Sequence, residues 1–434
     1  MLKPLVLILT ISRRLVVKRA ITSSLTGISA MEQMIHSVIA VEEESSAADE
    51  NGDVSIMLPL ERCEGGGSCV RFVMEGNIFP FTGTSMKRAS YVRAIVDTGS
   101  PYMIVPEAKV KDSVDIALST STNWMPPMRS IRRKLSSYNP KLSSLTRICD
   151  FDVDPISFFL KSAYPPTFDI YGSKEGKIDW RVAPAIFRSE SVHSIESSGY
   201  IFGITDDVLS EESGGALLGL VKQSNKSTSK VNIRPTWLEQ VRLYQGGVVN
   251  RKALEVKSFR IDTPDRQLIL SSNSLISESA NNVLALTDLR PLGDFVDHYA
   301  CVVNEIYIDG KGVRKTGWTK QKRDIVAVFD TGLTGCLFTE EFWTDISAGS
   351  GIVNDDSISS VCVELETENG KSATFVIESS REKAGDLFYT SSISLDWFDE
   401  TETAPHVVVL GQSFLAFGAL TIDIDERRAL FENV

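Results

Sequence analysis

An apolar strand that ends in Asp-Thr-Gly occurs twice in this chain, and this repeat constrains the fold more than any other feature. In the first copy, residues 94–96 (AIV) lead into Asp97, and a second apolar run follows at residues 102–105. In the second copy, residues 325–329 (IVAVF) lead into Asp330. The ordinary frequencies of the three residues predict one chance Asp-Thr-Gly in about ten chains of this length. Two copies, each after an apolar strand, therefore predict two equivalent turns that each hold a carboxylate.

Composition excludes several classes of protein. The chain has 434 residues, of which 42% are hydrophobic, so it is long enough for two or three hydrophobic cores. A formal net charge of −12 argues against a nucleic-acid partner. No run approaches the roughly 20 apolar residues that a membrane-spanning helix needs. The six cysteines show no Cys-x-x-Cys pair and the four histidines are scattered, so we expect no metal and no cofactor.

The first 53 residues are expected to precede the folded part of the chain. The apolar run at residues 5–11 is followed at once by basic residues, which fits a short signal sequence poorly. The Arg-, Ser- and Thr-rich segment up to Ala30 is equally typical of a transit peptide. Residues 42–53 are acidic and Ser-rich, as in a solvated linker. We therefore expect structure to begin near Val54.

From Val54 onward, short strand-like runs alternate with Gly, Pro and Asn turns, a pattern typical of an all-β protein. Residues 168–184 predict a hairpin with a polar turn at residues 172–176, whereas residues 113–147 have the composition of an inserted surface loop. A short helix is predicted over Arg234–Leu243. Each half also contains an apolar strand that stops on glycine, and these segments, with the repeated Asp-Thr-Gly, indicate an internal duplication. They are Leu217-Leu218-Gly219 and Val409-Leu410-Gly411.

A glycine-rich loop lies between Cys63 and Cys69. A disulfide between these two residues would close the loop into a small covalent ring. The other four cysteines have no readable pairing.

Two carboxylates on equivalent turns of two similar halves suggest one site on the axis between the halves. At about 3 Å apart, two carboxylates cannot both ionise, so they share one proton. The base form then draws a proton from a water while the acid form polarises a carbonyl, which is general acid–base hydrolysis. A peptide bond is the substrate that suits this chemistry best.

On these residues the chain resembles a pepsin-like aspartic protease. The resemblance covers the chain from about Val54 to its end and includes residues 407–425, which are similar to the closing strand–helix–strand of that family. It implies an all-β, bilobal fold with the active site in the cleft between two lobes. The N-terminal lobe would span residues 54–275 and the C-terminal lobe residues 276–434.

The resemblance also implies a role for each residue of the site. Asp97 and Asp330 would form the catalytic dyad. The residues that support the dyad would be Thr98, Gly99, Ser100, Thr331 and Gly332. Tyr171, Gly172 and Ser173 would lie in a flap that closes over bound peptide.

By the same resemblance, the partner would be a peptide or protein substrate and the protein would work as a monomer. A secretory or acidic endomembrane compartment is favoured, with an organellar transit peptide as the other possibility.

The sequence departs from the family at three places. Ile104 stands where the family usually has a tryptophan that holds the flap tyrosine, and Leu333 replaces the usual Ser or Thr beside the second aspartate. The region before Val54 is acidic where the family's inhibitory segment is basic.

A non-catalytic relative that binds a peptide or protein is the main alternative. Such relatives commonly lose one aspartate, whereas both are present here. A β-rich adhesion or carbohydrate-binding module would explain neither the duplicated turn nor the hairpin.

Overall fold

The structure is a computed structural model that describes most of the chain after residue 53. The described residues are 54–63, 67–77, 87–107, 159–171, 174–187, 195–205, 215–222, 234–245, 252–292, 296–313, 323–333, 335–350, 360–378, 390–393, 404–415 and 418–433. The predicted targeting segment and linker (1–53), the predicted surface loop (113–147), and Gly172 and Ser173 lie outside them.

Strands form most of the described chain. The strands up to residue 271 are β1 (Ser55–Arg62), β2 (Ser68–Asn77), β3 (Lys87–Asp97), β4 (Met103–Pro106), β5 (Leu160–Lys161), β6 (Thr167–Tyr171), β7 (Lys174–Phe187), β8 (Ile195–Thr205), β9 (Ala216–Gly219), β10 (Leu243–Gln245), β11 (Lys252–Leu254), β12 (Ser258–Asp262) and β13 (Gln267–Ser271). Those that follow are β14 (Leu284–Thr287), β15 (Ala300–Ile308), β16 (Lys311–Gly312), β17 (Ile325–Phe329), β18 (Cys336–Thr339), β19 (Ser360–Glu366), β20 (Ser372–Glu378), β21 (Thr390–Ile393), β22 (His406–Leu410), β23 (Gly418–Asp423) and β24 (Arg428–Asn433).

Within the described ranges, 22 strands hydrogen-bond into one mixed sheet, and β10 and β11 form a separate antiparallel pair. The helical segments are α1 (Trp237–Gln240), α2 (Glu340–Ser350), α3 (Gln412–Leu415) and a 3-10 turn (Arg290–Leu292). This content confirms the predicted all-β class. The predicted lobe boundary at residue 275 falls between β13 and β14 and stays a prediction.

The strands that carry the two aspartates have the same surroundings in each half. In the first half β3 pairs in parallel with β9, and β4 pairs antiparallel with β9. In the second half β17 pairs in parallel with β22, and β18 pairs antiparallel with β22. Every residue of β9, β17 and β22 is buried, as expected for parallel strands that are covered on both faces. Because both faces of these strands are buried, their sequences are continuous apolar runs.

A run of six antiparallel strands joins the two halves of the chain. Its order is β1-β13-β12-β23-β24-β14, and the central pair brings Phe259 of β12 opposite Ile422 of β23. Three of these strands precede residue 275 and three follow it. The two halves are therefore joined by continuous hydrogen bonding between strands. We call these six strands the base.

The hairpins β12–β13 and β23–β24, which meet at the centre of this base, have matching turns. An aspartate ends the first strand of each hairpin, and its Oδ1 accepts a hydrogen bond from a backbone N–H three residues later, at 3.0 Å for Asp262 and 3.2 Å for Asp423. The next residue in both turns is an arginine with a φ of 54°, Arg266 in one and Arg427 in the other. The match extends the duplication that the Asp-Thr-Gly repeat predicted.

Two local predictions were too long. In the hairpin at residues 168–184, Tyr171 pairs with Lys174, so residues 174–176, which were predicted as turn, belong to β7. Of the helix predicted over Arg234–Leu243, only α1 (Trp237–Gln240) is helical. The Thr236 side chain and Glu239 form a capping box at its start, and Val241 is already extended at its end.

Candidate active site

Asp97 lies at the end of β3, beside the glycine that ends β9. Asp97 and Gly219 are opposite each other in the parallel pair, and the Leu220 N–H donates to the Asp97 carbonyl oxygen at 2.7 Å. A Cβ atom on Gly219 would collide with the Ser100 carbonyl oxygen. The chain after Asp97 therefore turns tightly over a residue that has no side chain, which explains the glycine.

Asp330 reaches its place in the same way. It directly follows β17, and its N–H donates to the Leu410 carbonyl oxygen at 3.0 Å. A Cβ atom on Gly411 would collide with the Gly335 carbonyl oxygen. The apolar-apolar-Gly segments found in the sequence are thus the strands against which the two aspartate turns pack.

Thr98 and Thr331 join the two aspartate turns. Each backbone N–H donates to the hydroxyl of the other threonine, at 3.0 Å in both directions. The Thr98 hydroxyl donates to the Phe329 carbonyl oxygen at 2.8 Å, and the Thr331 hydroxyl donates to that of Val96 at 2.7 Å. All four hydrogen bonds are buried. They fix the position of one turn relative to the other across more than 230 residues of sequence.

The carboxyl groups of Asp97 and Asp330 meet between these turns and hydrogen-bond to each other. The Gly99 N–H donates to Asp97 Oδ1 at 2.8 Å, and the Gly332 N–H donates to Asp330 Oδ1 at 2.9 Å. A Cβ atom on Gly99 would lie 2.5 Å from Asp330 Cγ, and one on Gly332 would lie 2.5 Å from Asp97 Cγ. Each glycine is therefore packed against the carboxyl group of the opposite turn.

Burial shields the two carboxyl groups from water and raises the pKa of both. The pKa of Asp330 is raised well above its usual range, first by burial and then by the charge of Asp97. Burial also raises the pKa of Asp97, but the hydrogen bond from Asp330, the N–H groups of Gly99 and Gly332, and His298 oppose that rise. Both carboxyl groups therefore hold a proton more readily than a free aspartate does, and the titration belongs to the pair.

Two neighbours of the dyad differ between the turns. The Ser100 hydroxyl oxygen accepts a hydrogen bond from the Tyr102 N–H at 3.5 Å. Leu333 is 4% exposed, and its carbonyl oxygen accepts from the Gln412 N–H at 2.7 Å. Its apolar side chain lies in the buried turn beside Asp330. Thr334 lies outside the described residues.

Two residues of the site were not predicted from the sequence. The Gln412 side-chain amide donates to the Thr331 carbonyl oxygen, and His298 Nε2 lies 3.2 Å from the Gly99 carbonyl oxygen. Gln412 follows directly on the apolar-Gly segment 409–411, which is a signal that points to it. His298 precedes no such motif and lies 199 residues from its contact.

The disulfide expected between Cys63 and Cys69 is present, with the two Cα atoms 5.5 Å apart. Gly67, which lies between the two cysteines, is near the site, because a Cβ atom on it would lie 2.6 Å from Gln412 Nε2.

The flap residues are placed only in part. Tyr171 ends β6 opposite Lys174, and nothing is described for its side chain or for Gly172 and Ser173. The position of the predicted flap over the dyad therefore stays a prediction.

Trp180 of β7 packs against Ile104, the residue at which the sequence has no tryptophan where the resemblance would lead us to expect one. Trp180 and Ile104 belong to one small buried cluster with Ile178 and Leu217. Trp180 Nε1 donates to Thr167 Oγ1 at 3.0 Å, which links the two strands of the β6–β7 hairpin. A tryptophan thus lies beside Ile104, but it comes from the hairpin.

We expect Trp180→Ala to lower the free energy of unfolding by about 3–5 kcal/mol, because it removes a fully packed aromatic side chain. Urea unfolding measures this loss. Tyr244→Ala is the matched control, since Tyr244 is 38% exposed. Equal losses in the two variants would show that Trp180 does not anchor the hairpin.

A scan against known protein families finds no match, and a search of curated proteins finds none either. Among the residues that the structure describes, no group of three or more His, Cys, Asp or Glu side chains could bind a metal ion. The helices within these ranges include none long and apolar enough to cross a membrane.

Proposed function

We propose that this protein is an aspartic endopeptidase of the pepsin-like type, with one lobe over residues 54–275 and the other over 276–434. The observation that carries the proposal is the pair of buried, mutually hydrogen-bonded carboxyl groups of Asp97 and Asp330 on equivalent turns. The repeated strand pairings around the turns and the six-stranded base, with three strands from each half, support the bilobal fold.

The reaction follows from the unequal acidity of the pair. Asp97, as carboxylate, takes a proton from a water that adds to the carbonyl carbon of a peptide bond. Asp330 gives its proton to the carbonyl oxygen, which produces a neutral tetrahedral intermediate. Asp97 then protonates the leaving nitrogen as the C–N bond breaks, and Asp330 recovers a proton from one hydroxyl. The cycle needs one proton shared by two carboxyl groups, which is the state that burial favours.

Incubation of the protein with a denatured protein mixture at several acidic pH values tests the proposal. We expect new peptide ends at acidic pH, and their suppression by pepstatin, which resembles the tetrahedral intermediate. Binding of peptides without any cleavage would instead identify a non-catalytic relative of the same fold.

Leu333→Thr is expected to change the pH dependence of the reaction. A hydroxyl at this position would donate a hydrogen bond to Asp330 and favour its charged form, so the upper apparent pKa of the pair should fall. The neutral-side limb of the kcat/KM profile should then move toward acid. The profile is measured for wild type and variant on one peptide substrate.

Leu333→Val is the control, because it keeps an apolar side chain without a donor. A limb that stays in place in Leu333→Thr, or moves toward alkaline pH, would show that Leu333 does not set the asymmetry of the pair.

A further inference from the structure

His298 lies in the second half of the chain but reaches the turn of the first aspartate. Its side chain is buried, with 2% of the residue exposed, and Nε2 lies 3.2 Å from the carbonyl oxygen of Gly99. Gly99 is also the residue whose N–H donates to Asp97 Oδ1. The imidazole is thus in direct contact with the backbone that holds the Asp97 carboxyl group.

The residues on either side hold His298 in this position. Asp297 forms an ion pair with Arg427 from the β23–β24 hairpin and lies 4.0 Å from Arg290. On the other side, the Tyr299 hydroxyl donates to the Leu220 carbonyl oxygen at 2.7 Å. The backbone that carries the imidazole is therefore held on both sides by contacts that do not depend on the charge of His298.

The contact with Gly99 fixes which nitrogen carries a proton. A carbonyl oxygen can only accept, so Nε2 must carry the hydrogen in both the neutral and the cationic imidazole. The proton that comes and goes with pH is then the one on Nδ1. His298 can become cationic without losing its hydrogen bond to the turn.

A buried cation needs a negative partner. Within the described ranges, the carboxyl group that faces His298 from the first turn is Asp97, which interacts with it electrostatically. Asp330 is hydrogen-bonded to Asp97, and its carboxyl group packs against Gly99. The charge of the neighbouring Asp297 is offset by Arg427, which pairs with Oδ2, and by Arg290, which lies 4.0 Å from Oδ1, although Oδ1 itself makes no hydrogen bond to the described residues. The single negative charge of the dyad is therefore the natural counterion.

We propose that His298 is a positioning residue whose cationic form holds the first aspartate turn and stabilises the Asp97 carboxylate, so that the dyad keeps its one negative charge at lower pH. Its consequence for hydrolysis rests on the proposed peptidase function; the coupling between His298 and Asp97 does not. The effect on Asp97 has the expected sign, because His298 lowers the pKa of that carboxyl group.

Titration of the imidazole signals by NMR tests the coupling without any assay of activity. The chain has four histidines, and His298→Gln assigns the signal of interest. Because the coupling is reciprocal, the titration midpoint of His298 should fall in Asp97→Asn. The midpoint of His406, which stacks on Phe342 with ring centroids 4.6 Å apart, should not change and serves as the control.

Enzyme kinetics separate the effect of the His298 charge from the effect of its hydrogen bond to Gly99. His298→Gln retains an N–H donor for Gly99 without the charge, so the acid limb of kcat/KM should move toward neutral pH. His298→Phe also removes the donor and should lower kcat on the order of 10-fold, because the turn that holds Asp97 is less well fixed. His406→Gln should leave both quantities as in wild type.

An unchanged His298 midpoint in Asp97→Asn overturns the proposal, whatever the kinetics show. If the midpoint falls in a protein that cleaves no peptide, the coupling stands and only the peptidase function is lost. If the peptidase is active, an acid limb that stays in place in His298→Gln also overturns the proposal.

Discussion

Asn in place of Asp97 or of Asp330 is expected to lower kcat/KM for peptide hydrolysis by about 10⁴-fold, the upper end for loss of a general acid–base group. Each carboxyl group has one of two complementary tasks, and an amide can neither accept the proton of water nor return a proton to the substrate. Because the tasks are coupled, the double variant should lose little more than either single one. Initial rates on one peptide substrate measure all three variants.

The fold should survive these changes. The pKa of both carboxyl groups is raised in the folded protein, so the wild type loses stability as pH rises through those values. Asn carries no charge, and each variant should therefore be at least as stable as wild type at neutral pH. Urea unfolding at acidic and neutral pH checks this. A variant that folds and cleaves at the wild-type rate would end the dyad interpretation.

Gly332→Ala is expected to lower kcat/KM by about 100-fold or more, because displacement of a reacting group by about 1 Å costs that much. The new Cβ atom would lie 2.5 Å from Asp97 Cγ, which is far shorter than a van der Waals contact between two carbon atoms. Either the carboxyl group or the whole turn must move. Gly99→Ala should act equally on Asp330, since its Cβ atom would also lie 2.5 Å from the opposite carboxyl carbon. Steady-state kinetics on the same peptide measure both.

Gly199→Ala is the matched control for these glycine variants. Its Cβ atom would meet only a methyl group of Val182, at 2.9 Å. It should cost stability without a specific loss of kcat/KM. If Gly332→Ala and Gly199→Ala have equal kcat/KM, the glycines do not position the dyad.

The sequence was most informative where burial and backbone geometry leave few choices. The strand Ile325–Phe329 was predicted with the bounds that the structure gives, because a continuous apolar run that ends at a glycine turn fits only a buried strand. The glycines beside the aspartates were also predictable, since only Gly allows the opposite carboxyl group to approach.

Contacts made across the two halves could not be predicted. The bond from His298 to Gly99 and the bond from the Gln412 amide to Thr331 depend on how distant segments pack, and no local pattern encodes that. The length of α1 was overestimated because apolar residues continue past Gln240 into β10 at a spacing that also suits a helix. The side chain of Tyr171 lies outside what the structure describes, so its role as the flap tyrosine stays a prediction.

The pH profile of kcat/KM on a single peptide substrate tests the central claim most directly, because the claim is that one proton is shared by two carboxyl groups. We expect a bell-shaped profile in the acidic range, with one limb for loss of the base and one for loss of the acid. A rate that rises steadily through neutral pH, or that persists in Asp330→Asn with the same profile, would contradict a mechanism based on Asp97 and Asp330.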